Sequence, residues 1–129
     1  MLEQVVELYP AAQWDWLALS LNQSISFEFI QSHREYPWNI SAVSRNASIT
    51  ETIVRANVEF PWRYSDLCSN PNISFDFVLE YMIRPEYKID INWSMLSANP
   101  SITMGIVEQY SNYPWNDQYL SMNPNINSN

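Results

Sequence analysis

Apolar residues along this 129-residue chain recur with two periods at once, a short one of a single helical turn and a long one of 24 residues. The long period is marked by Trp14, Trp38 and Trp62, and again by Asn22, Asn46 and Asn70. After five extra residues in the third copy it resumes with Asn99, Trp115 and Asn123. A self-similar period of about 20–50 residues is the mark of a solenoid or array. It divides a single 1–129 repeat domain into a half-repeat 1–13, repeats 14–37, 38–61, 62–90 and 91–114, and a half-repeat 115–129.

Within each copy the short period predicts two helices. Ile25, Ile49, Ile73 and Ile102 are followed four and five places on by Phe29-Ile30, Ile53-Val54, Phe77-Val78 and Ile106-Val107, the spacing of one helical face. Taken singly, segments 24–29 and 72–77 alternate as half-buried strands do, but the same columns in the other copies do not. Ser26, Thr50, Ser74 and Thr103 stand where N-caps of this helix B belong, with Glu28, Glu51 and Asp76 favouring its dipole. A shorter helix A precedes it, capped by Asp15, Asn39, Asn92 and Asn116; Arg63 breaks that column. Its inward residues are Trp16, Ile40, Tyr64 and Trp93, then Leu19, Val43, Leu67, Leu96 and Leu120. Helix B is expected to stop before Tyr36-Pro37, Phe60-Pro61 and Tyr113-Pro114.

Asn22, Asn46, Asn70, Asn99 and Asn123 close helix A, three of them followed by Pro71, Pro100 and Pro124. With Gly105 the only glycine, these residues are expected to end the helix in the left-handed conformation. Glycine at Asn70 or Asn99 would then be nearly neutral, and a β-branched residue would cost about 1–2 kcal/mol. The fold class is thus all-α, a short two-helix-repeat α-solenoid. The alternative, a leucine-rich-type β/α solenoid, also repeats near 24 residues. It fits less well, because the spacing from Asn to Ile is three rather than two and Ser41, Ser65 and Ser94 share the column of Leu17.

Composition narrows the function. Hydrophobic residues make up 47% of the chain, too many for disorder, and a net charge of −8 opposes phosphate backbones and anionic lipid surfaces. Neither nucleic acid nor a membrane is expected as a partner. No apolar run is long enough for a membrane span and Met1–Glu7 does not read as a signal peptide, so a cytoplasmic location is expected, host cytoplasm or virion if the protein is viral. One cysteine, Cys68, precludes an internal disulfide framework. Five Asn-x-Ser sequons, at Asn22, Asn39, Asn46, Asn72 and Asn92, fall in repeat columns and are read as structural.

No candidate for catalysis, cofactor or metal emerges. His33 is the only histidine and shares a column with Asn57, Tyr81 and Tyr110; Cys68 stands in the column of Ser20, Ser44, Ser97 and Ser121. Glu28 and Asp76 lie two copies apart, which argues against a carboxylate pair. Trp14, Trp38, Trp62 and Trp115, with Trp16 and Trp93, read as core, with a stacking surface for sugars or small ligands as the rival. The one lengthened copy brings Arg84, Glu86, Tyr87 and Lys88 together as a binding loop, with an idle loop as its bland counterpart.

The elements Trp14-Asp15-Trp16, Ser69-Asn70-Pro71-Asn72-Ile73-Ser74 and Ser121-Met122-Asn123-Pro124-Asn125-Ile126, with Tyr-Pro-Trp between copies, resemble an uncharacterised group of short-repeat proteins from large DNA viruses of amoebae and related hosts. The likeness runs through almost the whole chain, departing at Gln23 and Ala47, where Pro would stand, and at Ile91, where Trp would. It implies a viral repeat protein and supplies no catalytic residue. The expectation is a non-enzymatic scaffold for protein–protein interaction or structural assembly, with an unidentified protein partner; carbohydrate or small-ligand binding through exposed aromatics is the alternative. The chain opens on a lone helix B bearing Val5, Val6 and Leu8 and closes on a lone helix A bearing Trp115, Tyr119 and Leu120. Those uncovered faces set head-to-tail self-association beside simple fraying.

Overall fold

The computed structural model describes residues 1–83 and 91–126. Among them it contains ten short α-helices and no strand: α1 (Leu2–Leu8), α2 (Trp16–Leu21), α3 (Phe27–Ser32), α4 (Ile40–Arg45), α5 (Glu51–Ala56), α6 (Tyr64–Leu67), α7 (Phe75–Phe77), α8 (Trp93–Ala98), α9 (Met104–Gln109) and α10 (Asp117–Leu120). Helix α7 runs directly into a π-helical segment, Val78–Met82. The protein is therefore all-α. The leucine-rich-type alternative needs a strand in each copy, and the described residues form none.

The chain falls into two compact units, Met1–Trp62 and Arg63–Asn129. Each is built from the same parts. The Ile column lies at the centre of both, with Ile25 and Ile49 in the first and Ile73 and Ile102 in the second at 0% exposure. Val43, Leu67 and Leu96 are equally buried, and Val6, Val54 and Val78 fill the helix B positions behind them. Helices this short are unstable alone, since nucleation costs more than one or two turns return. Burial against a neighbour supplies what propensity cannot.

Their ends follow the local signals closely. Asp15, Asn39, Asn92 and Asn116 accept from the backbone N–H three residues on, as do Ser26, Thr50, Ser74 and Thr103. Arg63 offers no such bond. Helix B is shorter than the prolines alone suggest. Helices α3, α5 and α9 stop at Ser32, Ala56 and Gln109, and turns carry the chain on to Tyr36, Phe60 and Tyr113. The next Trp then bonds back: its indole N–H donates to the carbonyl five residues earlier, 2.8–2.9 Å away, in Trp14–Tyr9, Trp38–His33, Trp62–Asn57 and Trp115–Tyr110.

The Asn column overturns its sequence reading. Asn22, Asn46 and Asn99 are extended, with φ of −79°, −65° and −72° and ψ of 119°, 129° and 127°. No described residue has a positive φ. What selects Asn is its side chain. The Oδ1 of all five accepts from the backbone N–H two residues on, at 2.8–2.9 Å, closing an Asx turn. The Nδ2 of three of them reaches into the preceding copy. Asn46 donates to the carbonyls of Ser20 (2.8 Å) and Asn22 (3.3 Å); Asn99 donates to those of Cys68 (2.7 Å) and Asn70 (2.9 Å). Asn123 donates to Ser97, Asn99 and Ile102. An extended Asn is also what a following proline requires, because proline pushes its predecessor out of the helical region.

A buried carbonyl stripped of its donor costs about 1–3 kcal/mol. Asn99→Gly and Asn99→Ala are therefore expected to destabilise alike, each by about 1–3 kcal/mol in urea unfolding. Asn22→Gly, at an exposed position, should cost well under 1 kcal/mol. A stable Asn99→Gly would restore the left-handed reading.

Candidate functional site

Two faces of the repeat differ in what they repeat. On the helix A face the same bonds recur. Ser20 Oγ donates to the Trp16 carbonyl (2.6 Å) and accepts from the Asn39 backbone N–H (3.0 Å). Ser97 Oγ does the same with the Trp93 carbonyl (2.6 Å) and the Asn116 N–H (2.9 Å). Both serines are fully buried. The sequence shows this column only as small residues, and its role as a clasp between consecutive helices A is visible only with the next copy in place. The repeat positions Trp38 and Trp62 are buried, Trp14 and Trp115 half-buried, and Asn46, Asn70, Asn99 and Asn123 buried; Asn22 alone among the five is exposed.

The sequons fit this structural role. Asn46 is buried, Asn39 and Asn92 cap helices, and Asn22 and Asn72 sit in the Asx turns.

On the helix B face, shallow grooves separate consecutive helices, and their linings change. The first lies between α1 and α3 and is lined by Gln4, Glu7, Leu8, His33, Glu35 and Tyr36. The second, between α3 and α5, presents Gln31, Arg34, Asn57, Glu59 and Phe60 at matching positions. The third, between α7 and α9, presents Phe75, Asp76, Ile106, Gln109 and Tyr110. A side-chain bond crosses the first two at the same columns: Glu7 to His33 Nε2 at 3.1 Å, and Gln31 Nε2 to Asn57 Oδ1 at 3.4 Å. Arg34 lies over the Phe60 ring, 4.8 Å from its centre.

His33, the only histidine, has both ring nitrogens and both ring faces engaged. Its Nδ1 lies 2.9 Å from the Phe29 carbonyl and its Nε2 3.1 Å from the Glu7 carboxylate. Its ring stacks on Phe29 and Tyr36, at 4.2 and 4.9 Å. It closes helix α3, in keeping with a packing residue of helix B, and ties α1 to that helix, a link the sequence did not show. A second tie escaped as well: the Glu3 carboxylate accepts from the Ser26 N–H at 2.6 Å.

Cys68 is fully buried in the serine column. Burial pushes its thiol up to about 11; the Asn92 backbone N–H, bonded to the sulfur, works against that, and nearby Asp66 adds to it. A thiol so placed is a poor nucleophile at neutral pH. Among the described residues no group of three or more His, Cys, Asp or Glu side chains could hold a metal ion, and no helix is long and apolar enough to cross a membrane. The expected binding loop Arg84, Glu86, Tyr87 and Lys88 lies outside the described residues. Compared with known proteins, the chain matches no family model, no curated protein and no solved structure.

Cys68 generates a test with a definite sign. The folded thiol holds its proton up to about pH 11, whereas the unfolded thiol loses it near its ordinary value of 9.0. Between those values the unfolded state binds fewer protons, so stability falls as pH rises. Cys68→Ser is expected to fold normally, its hydroxyl taking the bonds seen at Ser20 and Ser97. It should flatten the decline of Tm between pH 9 and 11 relative to the parent chain. Equal slopes for the two proteins would contradict the assignment.

Proposed function

We propose that the chain is a non-enzymatic scaffold, an α-solenoid of 24-residue two-helix copies that holds protein partners or builds a structural assembly. The observation that carries this reading is the division of labour between the faces. The helix A columns repeat their bonds from copy to copy, which is what stacking demands of them. The first two helix B grooves keep their position while changing their lining, which is how a repeat array presents one surface with varied chemistry. His33 is enclosed and Cys68 buried in the serine column, so both side chains serve the packing. The resemblance to short-repeat proteins of large DNA viruses supports a place in a virion or in the cytoplasm of an infected host.

Two experiments test the reading. Excising residues 38–61, so that Pro37 meets Trp62, removes one full period. The shortened chain is expected to stay helical by circular dichroism, with its maximum dimension in small-angle scattering reduced by about one helix spacing of 8–10 Å. An unfolded product, or an unchanged dimension, would overturn the solenoid. For function, a partner identified by proximity labelling should form a complex with the purified chain, weakened at least tenfold by added negative charge in a helix B groove (Gln31→Glu with Arg34→Glu). Binding indifferent to every groove would remove that face from the function.

A further inference from the structure

The third groove differs from the first two in what its polar side chains are bonded to. Glu7 and His33 bridge the first at 3.1 Å, and Gln31 and Asn57 bridge the second at 3.4 Å. In the third, the same columns hold Leu79 and Tyr110, a pair with no polar bridge to make. The cavity there, within the unit Arg63–Asn129, is walled by the buried Phe75, by Ile106 and by Tyr110, whose ring centre lies 5.0 Å from that of Phe75. Asp76 and Gln109 complete the lining, both exposed, and neither side chain has a hydrogen bond or ion pair among the described residues. Ser101 Oγ, on the same lining, is buried and equally unpartnered. Ser48 in its column is unpartnered too, so the hydroxyl alone marks no site. The open carboxylate beside an aromatic wall is what sets this groove apart.

The second groove shows what such groups hold. The Arg34 guanidinium lies over the Phe60 ring, 4.8 Å from its centre, and its Nη1 donates to Gln31 Oε1 at 3.2 Å. A helix B groove of this chain thus seats a guanidinium on an aromatic face, where a cation and a ring attract, with an amide oxygen as acceptor. The third groove presents the same kinds of group, a ring in Tyr110 and an amide in Gln109, and adds a carboxylate. No basic side chain is among its lining residues. The space is about 260 Å³, against about 140 Å³ in the groove that Arg34 lines. Pockets that enclose whole small molecules run to roughly 300–1,000 Å³, so this one suits a single long side chain. A net charge of −8 on the chain draws a partner of positive sign.

We infer that the cavity between α7 and α9 receives an arginine side chain from a basic segment of a partner protein. The aliphatic stem lies along Phe75 and Ile106. The guanidinium stacks on Tyr110 and donates to the Asp76 carboxylate, with Gln109 Oε1 as a further acceptor. Arginine suits the site better than lysine, because its planar, weakly hydrated head stacks on a ring and offers a fork of donors to a carboxylate. The inference rests on the partner-binding reading of the proposed function and gives that partner its chemistry.

The test is a heteronuclear NMR titration of the full chain with acetyl-glycyl-arginyl-glycinamide. Saturable shifts are expected at the amides of Asp76, Gln109 and Tyr110, with a Kd of about 1 mM for a single side chain. The citrulline peptide has the same shape without the charge and should bind about fivefold more weakly or worse. Asp76→Asn removes no bond seen in the structure, so circular dichroism and Tm should stay unchanged while affinity for the arginine peptide falls about fivefold. Equal binding of the two peptides, shifts confined to other parts of the chain, or undiminished affinity in Asp76→Asn overturns the inference. Failure here is separable from failure of the scaffold. No peptide binding, in a chain that stays folded when residues 38–61 are excised, removes the arginine site and leaves the solenoid standing. Saturable binding with an unfolded excised chain does the reverse.

Discussion

The structure depends on the satisfaction of backbone groups at helix ends. A helix of six residues consists almost wholly of ends: its first four N–H groups and last four carbonyls have no partner within it. In a protein of long helices that deficit is a small fraction of the backbone. Here it is most of it, and burying such elements without partners would cost far more than the apolar surface returns. The polar columns answer this deficit one group at a time. Asp, Asn, Ser and Thr caps take the first N–H groups. The indole N–H groups take carbonyls at the close of helix B. The buried asparagines take carbonyls at the close of helix A.

That accounting explains the composition better than core packing does. Asparagine carries both an acceptor and a donor on a short side chain, so it closes its own turn with Oδ1 and spans to the preceding copy with Nδ2. Aspartate lacks the donor and glycine lacks both. Serine serves the neighbouring column because one hydroxyl can donate and accept at once, as Ser20 and Ser97 do. Cysteine at position 68 is tolerated there because a thiol is of similar size and its sulfur still receives the Asn92 N–H.

The same logic leaves the helix B face comparatively unconstrained. Its grooves are crossed by a carboxylate–imidazole contact in one copy and an amide–amide contact in the next, at identical columns. The stacking requirement falls on the helix A face, so groove residues are able to vary in charge and hydrogen-bonding character without disturbing the ladder. A face of that kind is where partner specificity would be written, which is why the proposed scaffold places its contacts there.

The sequence by itself determined the parts whose physics is local. Each N-cap bond joins residues three apart, and the Ile and Leu columns are set by helical spacing, so both were legible from a single copy and doubly so from several. The all-helical class followed from them. The role of the Asn column was not legible in this way, because its Nδ2 partners lie 21–31 residues back and exist only once two copies have packed. Asn-Pro does carry a local signal for an extended backbone, since proline pushes its predecessor out of the helical region, but the same proline also commonly follows a left-handed helix end. The serine clasp and the links of Glu3 and Glu7 to α3 belong to the same class. The division into two compact units likewise came only from the folded chain. Side chains whose partners lie a full copy away acquire their role from tertiary structure, because their spacing along the chain carries no local energy.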